Sequence, residues 1–170
     1  MKLFKHLLLA LAVVFCVEAQ AQRMPVPIVD FKDVPVSASV SKPVTSDDVR
    51  KAFVRAAATL NWTLTPVSEG VMELKYVKEN KHIVVAKVTY DAQRYSIAYQ
   101  SSVDMKFDEN APKTRMLEDA AQKQKNHFAS DPLTPYAVVP HPNAVIHPFY
   151  EGWVRRLLAA VSVQLKVAES

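Results

Sequence analysis

Two histidines, His141 and His147, stand six residues apart, each followed by a proline, Pro142 and Pro148. With Asp131 they offer imidazole and carboxylate, both zinc-ligand types, but structural zinc takes four ligands at closer spacing. The plainer reading makes His147 part of a helix start and His141 a solvated loop residue. Ser96, Ser101 and Ser102, with His82 and Asp104, supply the residue types of a nucleophilic triad. No Gly-x-Ser-x-Gly elbow accompanies them, and the serines alternate with aromatic residues, as on the wet face of a strand. No catalytic or cofactor-binding residue is assigned, no cofactor is expected, and the chain reads as non-enzymatic.

Trp62, Tyr76, Tyr90, Tyr95, Tyr99 and Trp153 can line a ligand cleft. More simply they are core, with their polar ends at its rim. Lys113, Arg115, Lys123 and Lys125 can meet anionic headgroups, yet Glu118 and Asp119 interrupt them, so a solvated helix face is expected. Asn61-Trp62-Thr63 has the form of a glycosylation sequon, which bears only on a eukaryotic secretory route. The two glycines, Gly70 and Gly152, exclude every glycine-rich phosphate loop. A net charge of +4 is too small for a nucleic-acid footprint. No internal repeat is present.

The N-terminus sets the address. Lys2 and Lys5 precede an apolar run from Leu7 to Val17, and Ala19 and Ala21 form an Ala-x-Ala site. That is the pattern of a cleavable signal peptide over residues 1–21. The run is too short for the ~20 residues of a membrane span. Cleavage after Ala21 puts Gln22 first in a periplasmic chain without a transmembrane segment. Cys16 is the single cysteine. Phe15 precedes it, where lipidation requires a small residue. The mature chain then has no thiol, and packing must supply its stability.

Residues 22–43 carry repeated prolines, which forbid a helix and block a central strand, so an extended arm is expected. Residues 44–168 form one domain. Thr45 caps a helix, Asp48 stands at the capping-box position, and Val49, Phe53, Ala56, Ala57 and Leu60 recur at helical spacing. Asn61 suits a left-handed stop. Three alternating runs follow: Val71 to Val77, His82 to Tyr90, and Tyr95 to Phe107. Their polar turns argue an antiparallel meander with one face buried. Residues 108–145 read as an insert, helical from Pro112 to His127 and irregular beyond. Pro148 opens a last helix whose stripe runs from Phe149 and Tyr150 through Trp153, Val154, Leu157, Leu158 and Val161 to Leu165. The class is α+β, with both long helices on one face of the sheet.

Val49 to Trp62, Tyr95-Ser96-Ile97-Ala98-Tyr99-Gln100-Ser101-Ser102 and Ile146-His147-Pro148-Phe149-Tyr150-Glu151-Gly152-Trp153 carry a resemblance. The chain resembles small proteobacterial exported proteins and lipoproteins of unknown function. These share a Tyr-Ser-Ile-x-Tyr-x-Ser-Ser strand and an Ile-His-x-x-Tyr-x-x-Trp helix start. The resemblance covers residues 26–107 and 145–166 and implies an envelope setting and a compact α+β body. It departs at the missing lipidation site and the long segment 108–145. The expectation is a protein that binds or scaffolds an envelope protein or other envelope component. The alternative is a binder of small ligands or metal through its aromatic face or loop histidines.

Overall fold

The computed structural model describes residues 24–36, 43–129 and 137–168. The signal-peptide reading, part of the arm and Asp131 lie outside them. The elements run β1 (Val26–Pro35), α1 (Ser46–Thr59), β2 (Trp62–Ser68), β3 (Val71–Lys78), β4 (His82–Tyr90), β5 (Arg94–Val103), α2 (Arg115–Ala129), β6 (Ala137–Ile146) and α3 (Phe149–Ala168). The α+β class stands. The expected meander, β3–β4–β5, lies within a six-stranded antiparallel sheet of order β2-β3-β4-β5-β1-β6.

Local chemistry starts and stops these elements as expected. Thr45 accepts the Asp48 N–H, and the Asp48 carboxylate accepts the Thr45 N–H in return. Such a box stabilises a helix start by about 1 kcal/mol. Asn61 turns left-handed at φ 58° and releases the chain into β2. Glu79 and Asn80, both left-handed, make the β3–β4 turn. At the β4–β5 turn the Asp91 carboxylate accepts the N–H groups of Gln93 and Arg94.

The arm is the first correction. Val26–Pro35 is extended, but it is an interior strand, paired with β5 on one side and β6 on the other. Its prolines stand where few ladder bonds are due: Pro27 lies before the β5 pairing and at the irregularity with β6, and Pro35 is the last residue of the strand. Pairing with β5 starts only at Phe31, and pairing with β6 shifts between Pro27 and Val29. A missing proline N–H is harmless where no ladder bond is due.

The segment 108–145 is the second. It contains α2, within its expected helical part, and β6, an edge strand where an irregular loop was read. Edge position accounts for Pro140 and Pro142, since an edge strand has one unpaired side. Pro140 pairs with Val29 and Val145 with Pro27, so residues 141–144 bulge from the ladder.

The third correction is a parity change in β5. Ala86 pairs with Tyr99 but Val85 with Ser101, leaving Gln100 unopposed. One extra residue reverses which side chains face inward. Tyr95 and Ile97 are buried as expected, but Ser102 then shares the inner row with Val84 and Val103 turns outward.

One core joins the inner sheet face to α1 and α3. It is built from Phe53, Ala56, Leu74, Val88, Ile97, Leu157 and Val161, among others. Phe53 meets Tyr95 edge-on at 5.1 Å. Arg55 of α1 donates to the Gln164 side chain of α3 at 2.8 Å and ties the two helices at the surface.

Candidate functional site at one end of the sheet

Three chain segments converge where α3 begins. The β3–β4 turn brings Lys78 and His82. The stretch after β5 brings Asp104 to Phe107. The third segment is His147-Pro148-Phe149. Asp104 and Lys106 are left-handed at φ 58° and 50°, a conformation costing a non-glycine residue roughly 1–2 kcal/mol. Surrounding contacts hold them. Met105 between them is buried, and its carbonyl accepts the His147 N–H at 2.8 Å. The Asp104 carbonyl lies 2.7 Å from His82 Nδ1. Asp108 and Val145 then exchange backbone bonds at 3.1 and 2.8 Å.

Aromatic rings fill this end. Trp62 lies 5.1 Å from Tyr76, Tyr76 4.8 Å from Trp153, Trp153 5.8 Å from Phe149, and Phe149 4.4 Å from His147. The Lys78 ammonium sits 5.2 Å from the centre of the Phe149 ring, a cation–π contact. A second group centres on Tyr99, edge-on to Tyr150 at 5.6 Å and stacked with Phe107 at 5.1 Å. Trp62, Tyr95 and Trp153 are core, as the simpler reading expects; Tyr76, Tyr90 and Tyr99 are its half-buried rim.

A buried carboxylate adjoins the second group. Asp30 is 8% exposed and accepts the Tyr99 N–H at 3.0 Å through Oδ1. Its Oδ2 lies 3.1 Å from His141 Nε2. That approach is off the axis of a hydrogen bond, since Nε2 is buried and makes none. Tyr150, 1% exposed, buries a hydroxyl with no hydrogen-bond partner among the described residues. Burial, then the charge of Asp30, then Tyr99 push its phenol far above the ordinary 10.0. Burial also raises the Tyr99 phenol, partly offset by its bond with Ser102 at 2.9 Å.

The sequence candidates disperse. Ser96 accepts the Asp33 N–H at 3.0 Å, Ser102 pairs with Tyr99, Ser101 is exposed on the outer face, and His82 is held by a backbone carbonyl. No relay links the serines to His82 and Asp104 among these contacts. Of the metal candidates, His141 reaches Asp30, while His147 Nδ1 accepts the Phe149 N–H at 3.2 Å. No three His, Cys, Asp or Glu gather around a metal position among the described residues. Lys113 and Arg115 are exposed near the start of α2, and Lys123 lies further along its exposed side.

Two features escaped the sequence reading. Asp30 had a legible signal, a lone acid inside the apolar run Val26 to Phe31. The other is an apolar strip on the sheet face that no described helix covers. Val77, Ile83 and Val103 are paired in one row across β3, β4 and β5. Val77 is 41% exposed and Val103 57%. Phe107, 44% exposed, lies apart from this row: it stacks on Tyr99, whose ring meets Tyr150 of α3 on the helix-facing side.

No family model, curated protein or solved structure matches this chain.

Proposed function

We propose that this is an exported, non-enzymatic periplasmic protein that binds or scaffolds another component of the cell envelope. The signal-like N-terminus and the resemblance to small proteobacterial exported proteins support the setting. Among the described residues no helix is long and apolar enough to cross a membrane. The observation that carries the binding reading is the row Val77–Ile83–Val103. Three bulky apolar side chains paired in one row on the sheet face away from α1 and α3 mark an interaction surface more than a chance exposure.

In-cell crosslinking with mass spectrometry tests this reading. A recurring envelope partner, crosslinked near Val77 or Val103, is the expected result. Crosslinks spread evenly over the surface contradict it. N-terminal sequencing of a periplasmic extract tests the address separately: the chain should begin at Gln22, and an intact Met1 in the cytosol overturns it.

A second reading, a small-ligand binder, has one observation in its favour. The Tyr150 hydroxyl is buried without a partner near Asp30, and such groups are normally satisfied. A thermal-shift screen of small ligands and metals tests it, and no stabilisation across the screen counts against it.

A further inference from the structure

We propose that the sheet face bearing Val77, Ile83 and Val103 docks on an anionic lipid surface, its aliphatic row entering the headgroup layer while Lys75 and Lys87 meet the lipid phosphates. This rests on the reading of that face as the binding surface, and it narrows the envelope component to a bilayer.

Register places the two lysines beside the apolar row. Val77 pairs with Ile83 across β3 and β4, Lys75 with Val85 next along, and Glu73 with Lys87 after them. Alternation puts these residues on the face opposite the buried Leu74 and Ala86. Same-face neighbours stand about 7 Å apart along a strand and about 4.8 Å apart across it. Both lysines are exposed, and their methylene stems can lie along the aliphatic surface while the ammonium groups stay in water.

The patch carries a surplus of cations. Glu73, the carboxylate of these rows, stands opposite Lys87 but accepts from the Gln100 side-chain amide at 2.7 Å. Gln100 is the unopposed residue of the β5 bulge, so the irregularity in the sheet supplies the donor that occupies this acid. Among the described residues neither Lys75 nor Lys87 has an ion-pair partner. At the end of the row Lys78 pairs with Glu79 at 3.5 Å and Lys81 with Asp104 at 3.4 Å, so charge is balanced there. Two unpaired cations beside three aliphatic side chains complement a surface that is negative outside and apolar beneath.

Residue type favours lipid over a protein partner. Protein interfaces concentrate their binding energy on Trp, Tyr and Arg and are depleted in Lys. The paired positions of these rows hold none of the first three. Lysine, a compact charge on a flexible stem, suits phosphates whose positions are not fixed.

Co-sedimentation of the chain beginning at Gln22 with vesicles tests the docking. Mixed phosphatidylethanolamine–phosphatidylglycerol vesicles should carry the protein down at low salt, and vesicles of phosphatidylcholine alone should not. Lys75→Gln and Lys87→Gln should each weaken binding roughly fivefold, the scale of one lysine near an anionic surface. Val103→Ser should weaken it about three- to tenfold through lost apolar contact. Lys123→Gln removes the same charge from α2 and should leave binding unchanged. All four positions are exposed, and circular dichroism checks that each variant is folded. Absence of binding to the anionic vesicles overturns the proposal, as does equal binding to the neutral ones. Equal losses in Lys75→Gln, Lys87→Gln and Lys123→Gln overturn it too, because net charge rather than this face would then govern. Photo-crosslinking from Val77 and Val103 to one protein, without vesicle binding, overturns the lipid alone and leaves the face as a binding surface.

Discussion

The Asp30 carboxylate accepts the backbone N–H of Tyr99 at 3.0 Å, so a side chain of β1 completes the hydrogen bonding of β5 beside the Gln100 bulge. The same carboxylate faces His141 and the buried hydroxyl of Tyr150. One acid thus joins β1, β5, β6 and the first turn of α3.

Asp30→Ala strips the Tyr99 N–H of its acceptor in a half-buried position. We expect a loss of about 1–3 kcal/mol. Asp30→Asn should lose less, because an acceptor oxygen remains. Urea unfolding of the two variants checks the order, and equal losses would mean that the charge rather than the hydrogen bond matters.

Trp153 is 6% exposed and packs between Tyr76 of β3 and Phe149 of its own helix. Trp153→Ala should cost roughly 3–5 kcal/mol by removing a large buried ring. A melting curve reads it, and an unchanged midpoint would show that α3 does not depend on this anchor.

The two glycines should respond with opposite signs. Gly70 has φ +68°, and a Cβ there would stand 2.9 Å from the Tyr90 carbonyl oxygen. Gly70→Ala should destabilise by at least ~1–2 kcal/mol, the backbone conformation alone costing that much. Gly152 lies inside α3 with nothing within 4 Å of an added Cβ. Gly152→Ala should stabilise by about 0.5–1 kcal/mol through helix propensity. Thermal melting of both variants checks the pair.

The buried phenols predict an alkaline limit. Tyr150, and less strongly Tyr99, hold their protons in the folded state above the ordinary 10.0. A raised folded-state pKa gives stability that is complete below ~10 and is lost as pH rises beyond it, because the unfolded chain ionises first. Phenolate absorbance should therefore lag, with Tyr150 ionising only as the fold opens. All phenols titrating together near pH ~10 with intact circular dichroism would contradict this.

Much of the fold could be read from local chemistry. Thr45, Asp48 and Asn61 announce α1 by hydrogen-bonding type and backbone tolerance. Alternation announces β3 and β4, and the stripe from Tyr150 to Leu165 announces α3. What could not be read is non-local. The prolines of Val26–Pro35 and of Ala137–Ile146 hide two strands, because proline is excluded only where a ladder bond is due, and the partner strand decides that. The Gln100 bulge reverses the facing of Ser102 and Val103, and a period-two pattern cannot show one inserted residue. The candidate site was partly legible. Its aromatics and histidines stood out by type, whereas Asp30 matters through neighbours distant in sequence.

Placing a photo-reactive amino acid singly at Val103, at Val77 and, as a control on α1, at Lys51 tests binding through the sheet face away from α1 and α3 most directly. Each form would be crosslinked in living cells and its products identified. Binding through that face predicts one recurring envelope partner captured from positions 103 and 77 and not from position 51. Equal capture from all three, or from position 51 alone, would contradict it.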